Sequence, residues 1–353
     1  MKKTLIITLA SIALVGCSQD ETVATMDRVA IEFDKVFIEN STSSRATDLT
    51  TANLENFAVY GSVEKGGQEG NIFNKQEVTG TQAGGYTYTP AQYWIPGANY
   101  HFIAIAPFEE AHWTYTWSEE NNTQYGNKQV QNGTITFNNE SAAASQDLLW
   151  AYQPASTANV INQAPGAVSF SFQHLLSRVK FTFKNGFATG SNIQLKVKNV
   201  QITNAHSQGT LAITNGTVGD TWTASNTADE DKFTRIFGDA NGEPVADYYA
   251  PQTSASTAHY YLMPVKDASY TIAFTIDLYQ AGVLLLKDIQ KETKILTPTL
   301  KRGFSYEFKA ELNASNTTND GALEPIEFQV SGVKGWEDYT GNDATVTIPA
   351  KKD

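Results

Sequence analysis

The chain has 353 residues, 37 of them acidic and 25 lysine or arginine, so its formal charge is −12 at neutral pH. Such an acidic chain lacks the basic surface that binds a phosphate backbone, which makes nucleic acid a poor partner and disfavours adsorption to anionic lipid. The length permits a sizeable apolar core, and the single cysteine excludes a disulfide within the chain, so burial alone must stabilise the fold.

The N-terminus predicts an export signal over residues 1–16. Lys2 and Lys3 precede an apolar run over residues 5–15, and small residues lead to Cys17. That order is typical of a secretory signal, and the run is far shorter than the roughly 20 residues that span a bilayer. The residues before Cys17 resemble the lipobox of bacterial lipoproteins, which implies cleavage after residue 16 and acylation of the Cys17 sulfur. A membrane-spanning anchor or a chance cysteine is the alternative.

The first predicted strand follows a polar segment. Its apolar positions are Val29, Ile31, Phe33, Val36 and Ile38. The first three alternate, so they share one face of an extended chain. A polar stretch over residues 40–47 comes next, and its composition predicts an exposed loop that proteases can reach. Arg45 is the one basic residue in this loop, and Ala46 follows it.

Short apolar segments, most of them alternating with a period of two, then recur along the chain, separated by glycine, proline and asparagine turns. The predicted strands include residues 57–61, 86–88, 100–106, 134–137, 147–151, 168–172, 178–184, 195–202, 210–213, 260–264, 270–276, 306–308, 326–330 and 344–348. Residues 215–251 are rich in loop-forming types. No segment shows the sustained 3.6-residue period of a long helix, so the sequence predicts an all-β protein.

The number of strands and the length predict two β-sandwiches of similar size. Alternation stops at residues 174–177, between two well-patterned strands, and we place the domain boundary there. The first sandwich then covers residues 46–176 and the second covers residues 177–353.

Sites for enzymatic chemistry are missing from the sequence. The five histidines are scattered, no thiolate remains for a zinc site, and neither a nucleophile elbow nor a glycine-rich phosphate loop occurs. Acidic neighbours such as Glu109 and Glu110 do not supply the separated carboxylates of a glycosidase. We therefore expect no catalytic residue, no metal and no cofactor.

One aromatic strand leaves two interpretations open. Trp113, Tyr115 and Trp117 alternate, so their rings share a face. Such a face can stack on sugar rings, which would make a glycan-binding platform. Aromatic residues also dominate protein cores, and a core strand is the interpretation that we prefer.

Several motifs together resemble the fimbrillin superfamily, the stalk, anchor and tip proteins of type V pili of Gram-negative anaerobes. The matching motifs include Tyr93-Trp94, Gly97 and residues 100–107, residues 147–151, residues 168–179, residues 326–328, and Trp336. They spread over most of the mature chain in the family's order. The resemblance implies two transthyretin-like sandwiches, made as a lipoprotein.

The resemblance also implies a mode of assembly. In stalk subunits of that family, an N-terminal strand fills a groove as a placeholder until an Arg-specific protease removes it. Residues 17–45 would then be a propeptide, cut between Arg45 and Ala46. A strand from a neighbouring subunit would enter the emptied groove by β-augmentation. The candidate donor residues in the C-terminal tail are Ile326, Phe328, Val330, Val346 and Ile348.

The sequence therefore predicts a non-enzymatic pilus subunit on the cell surface, held to outer-membrane lipid through Cys17 before processing. Its expected partners are other fimbrial subunits, with a host glycan or protein as a further possibility. A tip or anchor protein of the same pili is the first alternative. A surface glycan-binding lipoprotein that uses Trp113, Tyr115 and Trp117 is the second.

Overall fold

A computed structural model describes residues 29–38, 49–108, 111–120, 127–143, 146–156, 166–225, 232–238, 245–295, 300–317, 326–334 and 344–345. The predicted lipidation and processing residues Cys17, Arg45 and Ala46 lie outside these ranges, as do Trp336, Val346 and Ile348.

Strands make up nearly all of the regular structure. The first nine are β1 Phe33–Ile38, β2 Asn56–Lys65, β3 Gln68–Thr81, β4 Gly85–Thr87, β5 Asn99–Ala106, β6 Trp113–Glu120, β7 Asn127–Asn138, β8 Leu149–Ser156 and β9 Val168–His174. The next ten are β10 Ser177–Asn185, β11 Ile193–His206, β12 Gln208–Thr214, β13 Thr217–Val218, β14 Thr223–Ala224, β15 Lys232–Ile236, β16 Ser254–Ser256, β17 Tyr260–Leu262, β18 Tyr270–Gln280 and β19 Val283–Ile295. The last are β20 Phe304–Leu312, β21 Phe328–Lys334 and β22 Ala344–Thr345.

Helical structure in the described ranges is limited to a 3₁₀ turn at Thr189–Ser191 and the single-turn helix α1 at Ala314–Thr317. The prediction of an all-β protein built from packed sheets is therefore confirmed.

The N-terminal lobe is built on a closed barrel. Its strands follow the order β1-β4-β3-β2-β5-β8-β9, and β1 closes the ring by pairing with β9 as well as with β4. Inward side chains alternate along each strand, as in Phe57 and Val59 of β2 and Tyr100 and Phe102 of β5, and they form one buried cluster.

A second sheet covers the outside of this barrel. It contains β13-β12-β7-β6, with β14 joined to β12. The outward residues of β2 and β5, such as Ala58, Tyr60 and Ile105, pack against it and are as buried as the inward ones. Burial on both faces explains why these strands are nearly continuous apolar runs in the sequence.

The C-terminal lobe is a β-sandwich. One sheet follows the order β16-β10-β20-β21-β22, with β17 also on β10, and the other follows β15-β11-β18-β19. The core lies between them, where Phe183 of β10 meets Phe274 of β18 with ring centroids 4.8 Å apart. Inward residues alternate along both sheets, as the sequence patterns of these strands predict.

The two lobes share strands across the predicted boundary at residue 177. The sheet over the barrel joins β6 and β7 to β12, which follows the first two strands of the second half of the chain. Trp222, also from that half, is fully buried and donates its indole N–H to the carbonyl of Leu175, 2.8 Å away. The division at residue 177 remains a prediction, and residues 208–224 belong structurally with the N-terminal lobe.

Candidate functional site: the first strand in its groove

The first strand lies in a groove between β9 and β4. It runs parallel to β9, where Val36 faces Phe170 and Ile38 faces Phe172. Against β4 it has one register pair, Phe33 with Tyr86. The strand thus fills the position at which the barrel would otherwise be open between β4 and β9.

Backbone hydrogen bonds extend the groove beyond the N-terminal end of β1. The Ile31 N–H donates to the carbonyl of Gln92 at 2.8 Å, and the Val168 N–H donates to the carbonyl of Glu32 at 2.7 Å. The Trp94 N–H donates to the carbonyl of Val29 at 3.0 Å. Residues 29–32 are therefore held by main-chain bonds, which any extended sequence can make.

Side chains of the first strand divide between the groove and the surface. Ile31, Phe33, Val36 and Ile38 are 1–5% exposed. Val29 is 47% exposed, so the prediction that it shares the buried face with Ile31 and Phe33 is wrong. Ile31 also precedes β1 but is buried, so the barrel core reaches as far as Ile31 and not as far as Val29.

A register irregularity explains how four unevenly spaced residues all point inward. The pairing with β9 shifts between Phe33 and Val36, so two residues rather than one separate these inward positions. Alternation resumes after the shift, which buries Val36 and Ile38 and leaves Phe37 50% exposed.

Phe33 is the centre of an aromatic cluster inside the barrel. Its ring stacks on Phe170 of β9 at 5.6 Å and meets Phe73 at 5.6 Å and Tyr88 at 5.4 Å. The rings of Phe57 and Phe102 lie 6.5 and 6.3 Å away. A residue of the N-terminal segment thus contacts aromatic rings of several barrel strands at once.

Polar side chains of the groove also bind the backbone of this segment. The Tyr88 hydroxyl donates to the Ile31 carbonyl at 2.7 Å and accepts from the Gln92 N–H at 3.1 Å, and burial raises the pKa of Tyr88. The Val36 N–H donates to Gln82 Oε1 and the Ile38 N–H to Thr51 Oγ1, each at 3.2 Å. Sequence reasoning did not find Tyr88, Gln82 or Thr51, since no local pattern links them to residues some tens of positions away.

The first of the two candidate donor segments is part of the C-terminal core. Ile326, Phe328 and Val330 are 1–6% exposed, and Phe328 contacts Phe181 at 6.0 Å and Phe274 at 6.3 Å. Strand β21 pairs with β20 along its whole length. These residues could act as a donor only if the sandwich lost a strand and part of its core.

The second candidate donor begins in β22, which is held far more weakly. Its two residues pair with Gln329 and Val330 of β21 at the edge of the sheet. Val346 and Ile348, which continue this segment, lie outside the described residues.

The aromatic strand β6 lies in the core. Trp113 is 1% and Tyr115 8% exposed, and the indole N–H of Trp113 donates to the Pro107 carbonyl at 3.0 Å. Trp117 is half-buried and packs on Tyr60 at 5.3 Å. The core interpretation is therefore confirmed for Trp113 and Tyr115, which are inaccessible to a sugar.

Two other kinds of site are absent from the described residues. The described ranges contain no group of three or more His, Cys, Asp or Glu side chains arranged to hold a metal ion. Within them, no helix has the length and apolar character needed to cross a bilayer.

The geometry defines a class of protein: an all-β protein whose barrel is completed by its own N-terminal segment. Residues 44–326 match the family model described as fimbrillin-like, and the chain belongs to that family. No protein of curated function matches it.

One solved structure supports this fold, and two others show a weaker likeness. A fimbrial protein from Bacteroides vulgatus superposes with a TM-score of 0.57 at 16% identity, over 86% of this chain and 99% of that one. A fimbrial assembly protein from Parabacteroides distasonis gives 0.41 at 13% identity, over 86% and 96%. The fimbrial anchor protein Mfa2 from Porphyromonas gingivalis gives 0.39 at 9% identity, over 88% and 98%.

Proposed function

We propose that this protein is a structural subunit of a surface fimbrium, exported as a lipoprotein through Cys17 and polymerised by exchange of the first strand. The observation that carries the proposal is the position of β1. It is the N-terminal strand of the barrel, it fills the opening between β4 and β9, and it puts Phe33 into the centre of the barrel core. A segment in that position can be replaced by any strand with a similar pattern.

Cleavage after Arg45 would make this replacement possible. While the chain is intact, β1 is tethered next to its groove, so its effective concentration there is high and no donor can compete. Once cut, residues 17–45 are a separate peptide that stays with the acylated Cys17, and the rest of the subunit is no longer tethered to it. The exposed groove then offers two unpaired strand edges and an apolar floor, which favours addition of a strand from another subunit.

The better donor is the segment that starts at Ala344. Its sequence alternates Ala344, Val346 and Ile348 with threonines, which suits a groove that takes alternate side chains. Leaving β21 breaks only the short β22 pairing, whereas release of β21 itself would expose Phe328. We therefore assign donation to residues 344–353 and leave Ile326, Phe328 and Val330 in the core of their own subunit.

A position at the tip of the fimbrium is the second candidate. It is favoured by the incorporation of β21 into the sandwich, because a tip subunit needs a groove but no donor. Removal of residues 344–353 distinguishes the stalk role from the tip role. A stalk subunit that lacks these residues stops the growth of polymers, whereas a tip subunit that lacks them still joins the polymer normally.

The processing step has a direct test with a matched control. Arg178 and Arg235 are buried, which leaves Arg28, Arg45 and the half-buried Arg302 as the remaining arginines. A cut after Arg28 leaves β1 attached, whereas a cut after Arg45 releases it. We expect an Arg-specific protease to give a chain starting at Ala46 that forms polymers, and Arg45→Ala to abolish them while Arg28→Ala does not.

N-terminal sequencing, intact mass and electron microscopy measure this outcome. Polymers formed equally well by Arg45→Ala would contradict the proposal. So would a protein taken from the cell surface that still starts at acylated Cys17, since its first strand would be retained.

A further inference from the structure

Exposed apolar side chains are concentrated at two places on this molecule. Nine large ones are exposed in the described part of the chain: Val29, Phe37, Tyr93, Ile95, Ile236, Tyr248, Val283, Leu284 and Leu285. Seven of them fall into two clusters, and only Phe37 and Ile236 lie elsewhere. Single exposed apolar residues are ordinary, but clusters of them mark interaction surfaces.

The first cluster, Val29, Tyr93 and Ile95, lies at the outer end of the N-terminal lobe. Ala30 bridges Tyr93, and the loop carrying these residues leads into the start of β5 at Asn99. The opposite end of β5, at Ala106, is paired with Leu149, next to the point where the chain leaves for the C-terminal lobe. The cluster is therefore one strand length away from the junction between the lobes.

The second cluster, Val283, Leu284, Leu285 and Tyr248, lies at the outer end of the C-terminal lobe. The turn between β18 and β19 stands beside Ile193, the first residue of β11. The last residue of β11, His206, lies at the junction, where its carbonyl accepts from Asn139 Nδ2 at 2.9 Å. Fourteen residues of β11 separate the two points, a distance on the order of 40 Å in an extended strand.

The core does not require the apolar residues at this turn. Val283, Leu284 and Leu285 are 65%, 43% and 46% exposed, although neighbouring side chains on a strand point to opposite faces. They also begin β19, an edge strand of its sheet. Charged residues such as Lys287, Asp288 and Lys291 protect the rest of this edge strand in the usual way, so the unprotected apolar surface is confined to its start.

A second copy of this chain is the occupant that best fits both clusters. Apolar surfaces at opposite ends of one molecule meet when copies stack head to tail, and such a contact generates an open filament. Loss of residues 17–45 would remove Val29 and the carbonyl that accepts from the Trp94 N–H, and would leave Tyr93 and Ile95 as the first cluster.

We propose that the β18–β19 turn of one subunit docks on residues 93–95 of the next, as a contact distinct from the exchanged strand. The proposal rests on the proposed function for its setting, since it places the two contacts in one filament. Strand exchange alone leaves adjacent subunits joined by a single segment, and the docked turn would fix their relative orientation.

Cross-linking tests the contact directly. In the processed chain that starts at Ala46, which has no cysteine of its own, Leu284→Cys in one molecule and Ile95→Cys in another should be joined by a short bismaleimide. Leu284→Cys with Ile236→Cys is the matched control, since Ile236 is exposed and lies in neither cluster. We expect at least about tenfold more product for the first pair, equivalent to about 1.4 kcal/mol in favour of that contact. Equal yields overturn the proposal.

Assembly rates provide a second readout. After cleavage, Ile95→Glu and Leu284→Lys should each slow polymer growth about tenfold, equivalent to about 1.4 kcal/mol. Neither variant should change the melting temperature. A subunit that carries both substitutions should regain the growth rate of the unchanged chain. Ile236→Lys should grow as the unchanged chain does. Growth that neither cluster variant slows overturns the docking but leaves strand exchange standing. If the unchanged chain fails to polymerise, the proposed function fails, and the cross-link still decides the docking.

Discussion

Replacement of Phe33 by alanine is expected to lower the free energy of unfolding by about 3–5 kcal/mol, the usual cost of removing a fully enclosed phenylalanine ring. The ring is 3% exposed and lies within 6.5 Å of five other aromatic rings. Neighbours on opposite walls of a closed barrel cannot all move in to fill the space, so a cavity remains. Denaturant unfolding of the uncut chain, followed by tryptophan fluorescence, measures the change.

Phe37 in the same strand supplies the control for this prediction. It is the same residue type, one position after Val36, where the pairing with β9 resumes, but its ring is 50% exposed on the outside of the barrel. We expect Phe37→Ala to change the free energy of unfolding by less than about 0.5 kcal/mol. Similar effects of the two variants would mean that the first strand is not seated in the groove.

The Phe33 variant also links stability to assembly. Its weaker placeholder should leave the groove sooner after cleavage at Arg45, so polymers should appear earlier than with the unchanged chain. The uncut variant should still not polymerise, because the tether keeps the segment in place despite its lower affinity.

Most of the buried face of the first strand could be predicted from local pattern. The apolar spacing of the first strand indicated most of its buried face, because a strand on a barrel has one face inside. Its role as a placeholder is a prediction that came from the family resemblance. The exception, Val29, shows the limit: alternation predicts which side a residue faces, but not whether the core reaches that far along the chain.

Long-range pairing was beyond what the sequence can indicate. Nothing near residue 33 shows that its strand will lie parallel to β9, more than a hundred residues away, or that Gln82 and Tyr88 will bind its backbone. The same holds for β12, which resembles any other strand of the second half yet pairs with β7. Alternation with a period of two indicates which face of the sheet each side chain lies on, whereas the strand that it pairs with depends on the packing of the whole sheet.

Arg235 joins the lobes through such a long-range contact. It lies on β15 of the C-terminal sandwich and is 5% exposed, and burial lowers the pKa of its guanidinium to about 10. Nη1 donates to the Ala142 carbonyl at 3.1 Å, while Nη2 donates to the backbone carbonyl of Asn139 and, at 3.1 Å, to its side-chain oxygen. These acceptors belong to the loop after β7 in the N-terminal lobe.

Replacement of Arg235 by methionine should therefore destabilise the protein, although exchange of buried charges for apolar groups is often neutral. Such exchanges are neutral when both partners become apolar, but here the backbone carbonyls of Asn139 and Ala142 remain and lose their donors. Each orphaned acceptor costs about 1–3 kcal/mol, so we expect a loss of about 2–4 kcal/mol for Arg235→Met and no less for Arg235→Ala. Thr234→Ala, at the exposed neighbouring position, serves as the control.

Calorimetry can separate this effect from simple loss of packing. If the arginine couples the lobes, Arg235→Met should split or broaden the unfolding transition, since each lobe has its own core. A methionine variant as stable as the unchanged chain, with one sharp transition, would show that the carbonyls find water and that the lobes are held together by the buried surface around Trp222 instead.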